Sequence, residues 1–294
     1  MTRFNVAPFA DEPDFEAARF VEIAPGSEVR EQVGFIPMEP EAPYEVGARR
    51  WAFRVRIDKL KPDPTAVKER VKQLVRVELE TTGAQFVGSK KRKQLRELAE
   101  EELIVRTNPS SKIIEACIDG DVLYVASTAK SYLGKVTAAL RKIGIAVDYK
   151  TPWLDLDDPD IESEIVEAYE PGQSVLGCRF LKVLMEDREV MIEGEAGSVQ
   201  LKTSKAHVSL RGAVLTDLHR YIERGAEILS AKLITADTSY RLDALSFRIS
   251  GLKVETDRHD HWTQLLDERL EKIVSAWDQL DEKYKALRPR LATA

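Results

Sequence analysis

The chain has 294 residues, enough for one large domain or two to three modest ones. A hydrophobic fraction of 43% and a charged fraction of 32% exclude a disordered chain. The formal net charge of -6 and a pI near 5.5 weigh against a surface that is basic throughout, so any affinity for a polyanion must come from Lys and Arg gathered on chosen faces.

No apolar run reaches the roughly 20 residues of a membrane-crossing helix. The opening MTRFNVAPFADEPDFEAARF carries acids where a signal peptide needs unbroken apolar residues. A cytoplasmic, membrane-free protein is expected. Residues 1–48 are rich in Pro and Glu and short of pattern, and FIPMEPEAPYE reads as an extended connector.

WAFRVRIDK alternates strictly. Trp51, Phe53, Val55 and Ile57 make an apolar strand face, and Arg54 and Arg56 lie on the other. AVKERVKQLVRVELETTG then reads as a helix with Val67, Val71, Leu74 and Val75 on one side and Gly83 as its stop. SKKRKQLRELAEEELI reads as a second helix, with Ser89 as its cap and Leu95, Leu98 and Leu103 at helical spacing. Its cations crowd the N-terminal half, against the helix dipole, which suggests a purpose other than helix stability. KIIEACID and DVLYVAS flank Gly120 as a hairpin. TAKSYLGKVTAALRKIG is an amphipathic helix ending at Gly144.

WLDLDDPDIESE is an acidic connector. Its carboxylates (Asp155, Asp157, Asp158, Asp160, Glu162 and Glu164) are contiguous and Pro-broken, as in a solvated linker and unlike a two-metal nuclease site. Residues 175–255 read mostly as strands. AVLTDLHRYIERGA is the exception, a helix with Leu215, Leu218, Tyr221 and Ile222 inward, and ILSAKLITADTSYRLDALSFRISGLKVE reads as an antiparallel meander. The final segment, 261–287, repeats Trp262, Leu266, Leu270, Ile273, Trp277, Leu280, Tyr284 and Leu287 at steps of four and three. Such a stripe packs either on its own domain or on a partner helix.

The class is α+β. The expected division is 1–62, joining a central sheet; 63–150, a helix–hairpin–helix tip; 151–258, a second α+β unit with the meander; and 259–294, the C-terminal amphipathic helix.

Chemistry-bearing motifs are scarce. There is no GxxxxGKS/T, GxGxxG or GxSxG. His259 and His261 are adjacent in DRHDHW but lack further ligands at metal spacing. Cys117 and Cys178 read as small buried side chains. No cofactor, metal or catalytic residue is expected. The cations are more informative. Lys90, Lys91, Arg92, Lys93 and Arg96 form the densest cluster, and Arg106, Lys112, Lys130 and Lys135 lie in the same half. In the second half Lys202, Lys205, Arg211, Lys232, Arg248 and Lys253 fall on polar strand faces, where a row of cations can track a phosphate backbone. With no stacking aromatics among them and no recognition helix, contact with bases is not expected.

The runs FRVRIDKLKPDPTAVKERV, KKRKQLRELAEEELIVRTNPSSKIIEACID and DVLYVASTAKSYLGKVTAALRKIG, with AVLTDLHRYIERGAEILSAKLITADTSYRLDALSFRISGLKVE, resemble the recombination-associated RdgC family over roughly 50–150 and 200–256. The resemblance implies a horseshoe-like subunit with mixed or antiparallel sheets. Two such subunits form a ring-shaped homodimer around duplex DNA, held without sequence preference. It also implies a nucleoid-associated protein that modulates recombination by limiting access of the RecA recombinase to shared DNA. Arg106 matches the basic residue of the loop after the leucine helix, and Arg211 falls at or beside a lysine of the second half. Where that family carries an aromatic residue at a ring contact, this chain has Asn108, which shifts the expected dimer contact towards the long final helix. Two other functions fit the sequence, a metal-dependent exonuclease and a protein-interaction scaffold that uses the final helix.

Overall fold

The computed structural model describes residues 1–9, 12–24, 27–155, 170–185, 191–192, 198–212, 215–235 and 238–291. Seven strands build the first sheet: β1 (Thr2–Val6), β2 (Glu31–Ile36), β3 (Glu45–Gly47), β4 (Arg50–Lys59), β5 (Ser110–Asp119), β6 (Val122–Val125) and β7 (Val147–Tyr149). Their order is β2-β4-β5-β6-β1-β7, with β3 beside β4 and every pair antiparallel. The expected alternation of β4 holds. Trp51, Phe53, Val55 and Ile57 are buried in a core with Phe35, Ile118 and Leu123, while Arg54 and Arg56 sit on the opposite face. Helix α1 (Pro64–Thr82) and helix α2 (Ser89–Ile104) are inserted between β4 and β5, whose ends pair Lys59 with Ser110. Helix α3 (Lys130–Lys142) lays Leu133, Val136 and Leu140 on the same core as β4.

Two expectations for this half are corrected. Residues 1–48 contribute β1 to β3, and β1 lies between β6 and β7. The period escaped notice because β1 spans five residues and turns Arg3 inward, where it is 3% exposed. Ser89 does not cap α2. The cap position is Gly88, which offers no side-chain acceptor, so the first N–H groups of α2 lack one. Asp63 does cap α1, accepting from the backbone N–H of Thr65 and Ala66 at 3.2 and 3.1 Å. Gly83 ends α1 in the left-handed region (φ 66°), as its placement predicts.

The second sheet contains β8 (Met191–Ile192), β9 (Ser198–Lys202), β10 (His207–Arg211), β11 (Glu227–Ile234), β12 (Ser239–Asp243) and β13 (Arg248–Ser250), in the antiparallel order β10-β9-β11-β12-β13 with β8 also on β11. Helices α4 (Leu176–Leu184), α5 (Leu215–Ile222) and α6 (Trp262–Leu291) accompany it. The meander is as expected. Helix α4 is not, because the reading of 175–255 as mostly strands passed over it. Seven of its nine residues are buried, and its polar face is only Arg179 and Lys182, one i,i+3 pair, too short a stretch for a helical period to stand out among strands. It packs against the turn before β13 so closely that a Cβ on Gly177 would stand 1.8 Å from the Ala244 carbonyl oxygen.

Helix α6 packs its heptad-like stripe on its own subunit. Leu270, Trp277, Leu280 and Tyr284 are buried in one core with α4, the second sheet and the Ala52, Cys117 and Tyr124 patch of the first sheet; Trp262, Leu266, Ile273 and Leu287 pack around it. Of the eight residues of the stripe, four are buried and four partly so. Arg3 of β1 clamps the helix, donating to both Asp281 oxygens at 2.7 and 2.8 Å with its guanidinium 4.0 Å from the Trp277 ring centroid. Among the described residues no helix is long and apolar enough to cross a membrane.

Candidate nucleic-acid interface

The densest cation cluster and the strand arginines of the second half lie on two separate surfaces, while Lys130 and Lys135 sit on α3, ion-paired with Glu170 and Glu31. The first is the α1–α2 hairpin. Its helices meet through Val67, Leu95, Ala99 and Ile104 near the sheet, and through the Arg70–Glu102 (2.6 Å) and Lys91–Glu78 (3.1 Å) ion pairs. Beyond these contacts the hairpin is exposed. From residue 80 to 94 no side chain is buried except in part that of Val87, and Phe86 at the turn is 79% exposed. Lys90, Lys91, Arg92, Lys93 and Arg96 all lie in solvent on the first two turns of α2. Lys91, Lys93 and Arg96 have carboxylate partners in Glu78, Glu97 (3.9 Å) and Glu100 (2.9 Å); Lys90 and Arg92 have none among the described residues. Exposed pairs of this kind are worth little, so a phosphate oxygen can replace the carboxylate at small cost. The uncapped N–H groups of α2 add to the positive potential at the same end.

The second surface is the polar face of the second sheet. Strand alternation turns Val199, Leu201, Ile228, Tyr240 and Leu242 into the core. The opposite face carries Ser198 and Gln200 from β9, Ser209 and Arg211 from β10, Ser230 from β11 and Arg241 and Asp243 from β12. The register sets them side by side: Arg211 opposite Ser198, Gln200 opposite Ser209, and Ser230 opposite Asp243. Arg248 of β13 closes the row. It is buried, not solvated as its strand position suggested, because Thr128, in the link between β6 and α3, and Tyr149, the last residue of β7, stand over it. Its guanidinium donates to the Thr128 carbonyl at 3.1 Å and lies 5.3 Å from the Tyr149 ring centroid.

Arg211 and Arg248, on opposite edge strands of the second sheet, line one cavity, and Lys90–Arg96 lie on the separate hairpin. Arg106 is exposed in the turn after α2, and Lys112 is exposed near the start of β5. Lys205 lies in the β9–β10 turn and not on a strand face. Arg241 was missed. The signal was available, since SYRLD alternates Tyr240 and Leu242 with Arg241 and Asp243 as clearly as the strand around Arg54 does.

Other candidates for chemistry resolve into structure. Burial pushes both the Cys117 and Cys178 thiols up to about 12, far from a reactive thiolate. His259 bonds Glu268 of α6 at 2.5 Å. Among the described residues no three His, Cys, Asp or Glu side chains gather as metal ligands. Of the acidic connector, Asp155 bonds Lys150 at 2.8 Å, and Asp157, Asp158, Asp160, Glu162 and Glu164 lie outside the described residues. A scan against protein-family models finds no match for the chain, and a search of curated proteins finds none.

Proposed function

We propose that this protein binds duplex DNA through the phosphate backbone, without reading base sequence. The observation that carries the proposal is the segregation of charge. A chain of net charge -6 places five Lys and Arg and no Asp or Glu between Gly83 and Arg96, on the exposed end of a helical hairpin. Cations so concentrated neutralise phosphates and release counterions even where the whole protein is acidic. Lys and Arg on a helix start fit a backbone that presents the same charge at every step.

Following the resemblance to the RdgC family, the same reading extends to a homodimer that closes a ring around the duplex, associates with the nucleoid and modulates recombination by limiting RecA access.

The test is a salt titration of binding to fluorescent duplexes of unrelated sequence, with light scattering for mass. The expected result is a log–log slope of about -4 to -5, corresponding to about five neutralised phosphates at ~0.9 each, and affinities within about threefold of one another across sequences, as backbone contacts imply. Binding insensitive to salt, or confined to one sequence, would rule the proposal out.

A further inference from the structure

The polar face of the second sheet holds a cavity of about 370 Å³. Arg211, Arg241 and Arg248 line it together with the hydroxyls of Ser198, Ser209 and Ser230. In an acidic protein such arginines ordinarily find carboxylates, and on the α1–α2 hairpin three of the five clustered cations do. Here no described carboxylate forms an ion pair with any of the three. Asp243 also lines the cavity, but its Oδ1 accepts from the backbone N–H of Ser246 at 2.9 Å and from the Ser246 hydroxyl. One engaged carboxylate against three guanidiniums leaves the cavity positive.

The arginines are also held in place before any ligand arrives. Arg241 donates to the Ser230 hydroxyl at 3.3 Å and to the Ser198 hydroxyl. Arg248 is only 7% exposed and fixed by the Thr128 carbonyl, and its Nε is buried without a hydrogen-bond partner. A buried, charged N–H left unmatched is costly, and the cost falls away when an anionic oxygen enters. Arg211 is exposed at the end of β10, at the rim.

We propose that this cavity binds a phosphate group. A carboxylate satisfies one guanidinium fork; a phosphate offers more acceptor oxygens and more charge, and so can answer several forks and hydroxyl donors together. The phosphate can be that of a free phosphorylated small molecule or one phosphodiester of a nucleic-acid backbone. The site does not depend on the hairpin reading, because it rests on different residues and a different observation.

The experiment is isothermal titration of the full chain with inorganic phosphate at constant ionic strength set by chloride. Wild type is compared with Arg211→Gln, Arg241→Gln and Arg248→Lys, the fold of each checked by circular dichroism. The expected result is saturable binding at one site, weakened about tenfold by Arg211→Gln and by Arg241→Gln, which remove a charged donor, and less by Arg248→Lys, which keeps the charge and loses the fork. Arg211 is exposed, so its variant reports on the site even if replacing buried Arg248 harms folding. Absence of saturable binding, or equal binding by wild type and Arg211→Gln and Arg241→Gln, would overturn the assignment. A second arm separates the sources. Phosphate that displaces a labelled duplex at constant ionic strength identifies the cavity with a backbone phosphodiester. Phosphate that binds without displacing it, or with no duplex binding at all, identifies a free phosphorylated ligand. In the last case the phosphate site stands and the DNA reading falls; duplex binding without phosphate binding gives the reverse.

Discussion

Replacing Asp281 by Asn tests what holds α6 to the first sheet. Arg3 has a side chain 2% exposed and Asp281 one 17% exposed, joined by two bonds of 2.7 and 2.8 Å, with the Trp277 ring 4.0 Å from the guanidinium. The Asn side chain keeps the shape and removes the charge, so the guanidinium stays buried without a counter-charge. Breaking a buried pair from one side costs about 3–5 kcal/mol. Asp281 keeps some solvent, which places the expected loss near the lower end, about 3 kcal/mol, or about 5 °C in Tm for a chain of this size. Removing both charges together should cost far less. Arg3→Met with Asp281→Leu fills the same space with apolar groups, and the double variant is expected within about 1.5 kcal/mol of wild type. Urea denaturation of the wild type, both single variants and the double variant gives the coupling directly. A single variant that loses under ~1 kcal/mol, or a double variant that loses the sum of the singles, would refute the reasoning.

Gly177→Ala puts a Cβ 1.8 Å from the Ala244 carbonyl oxygen, a backbone atom that cannot swing aside; a loss of about 3 kcal/mol or an insoluble product is expected, and unchanged urea stability would show that α4 can shift. Glu268 is held down from 4.5 to about 2, chiefly by the His259 hydrogen bond and then by Lys272. A depressed carboxylate stabilises the fold above its unfolded value and loses that contribution as pH falls through the folded one. Acid unfolding between about pH 4.5 and 2 should therefore be less steep in Glu268→Gln, and identical acid profiles would count against the contact. Cys117 and Cys178, pushed up to about 12 by burial, are expected to ignore a thiol reagent at mildly alkaline pH until guanidinium unfolds the chain; prompt labelling of the native protein would contradict their burial.

Where one face of an element is solvated, its period showed in the sequence. Trp51 to Ile57 alternate because Arg54 and Arg56 face the other way, and α3 declares itself through Leu133, Val136 and Leu140 against Lys and Arg. Short elements with little solvated surface did not show, and α4 is the clearest case, nine residues of which only Arg179 and Lys182 lie outside the core. The short strand β1 was hidden by its buried Arg3, a residue that reads as surface until its partner Asp281, 278 positions away, is known. The candidate site divides on the same line. The hairpin cations are contiguous, and the sequence places them correctly. Arg248 is different: alternation tells which side of a strand a residue takes, and Thr128 and Tyr149, from distant parts of the chain, decide that this side is roofed.

The central claim is that cations on the α1–α2 hairpin grip a duplex backbone. The most direct test compares wild type with the variant carrying Lys90→Glu, Lys91→Glu, Arg92→Glu and Lys93→Glu for binding to one labelled duplex over a range of salt. All four side chains are exposed, and the Lys91–Glu78 and Lys93–Glu97 pairs lost are exposed ones worth little, so a native circular-dichroism spectrum is expected and is checked first. If all four contact phosphate, the log–log salt slope should become shallower by about 3–4 and low-salt affinity should fall by about a thousandfold. Equal affinity and equal slope in the two proteins would contradict the account.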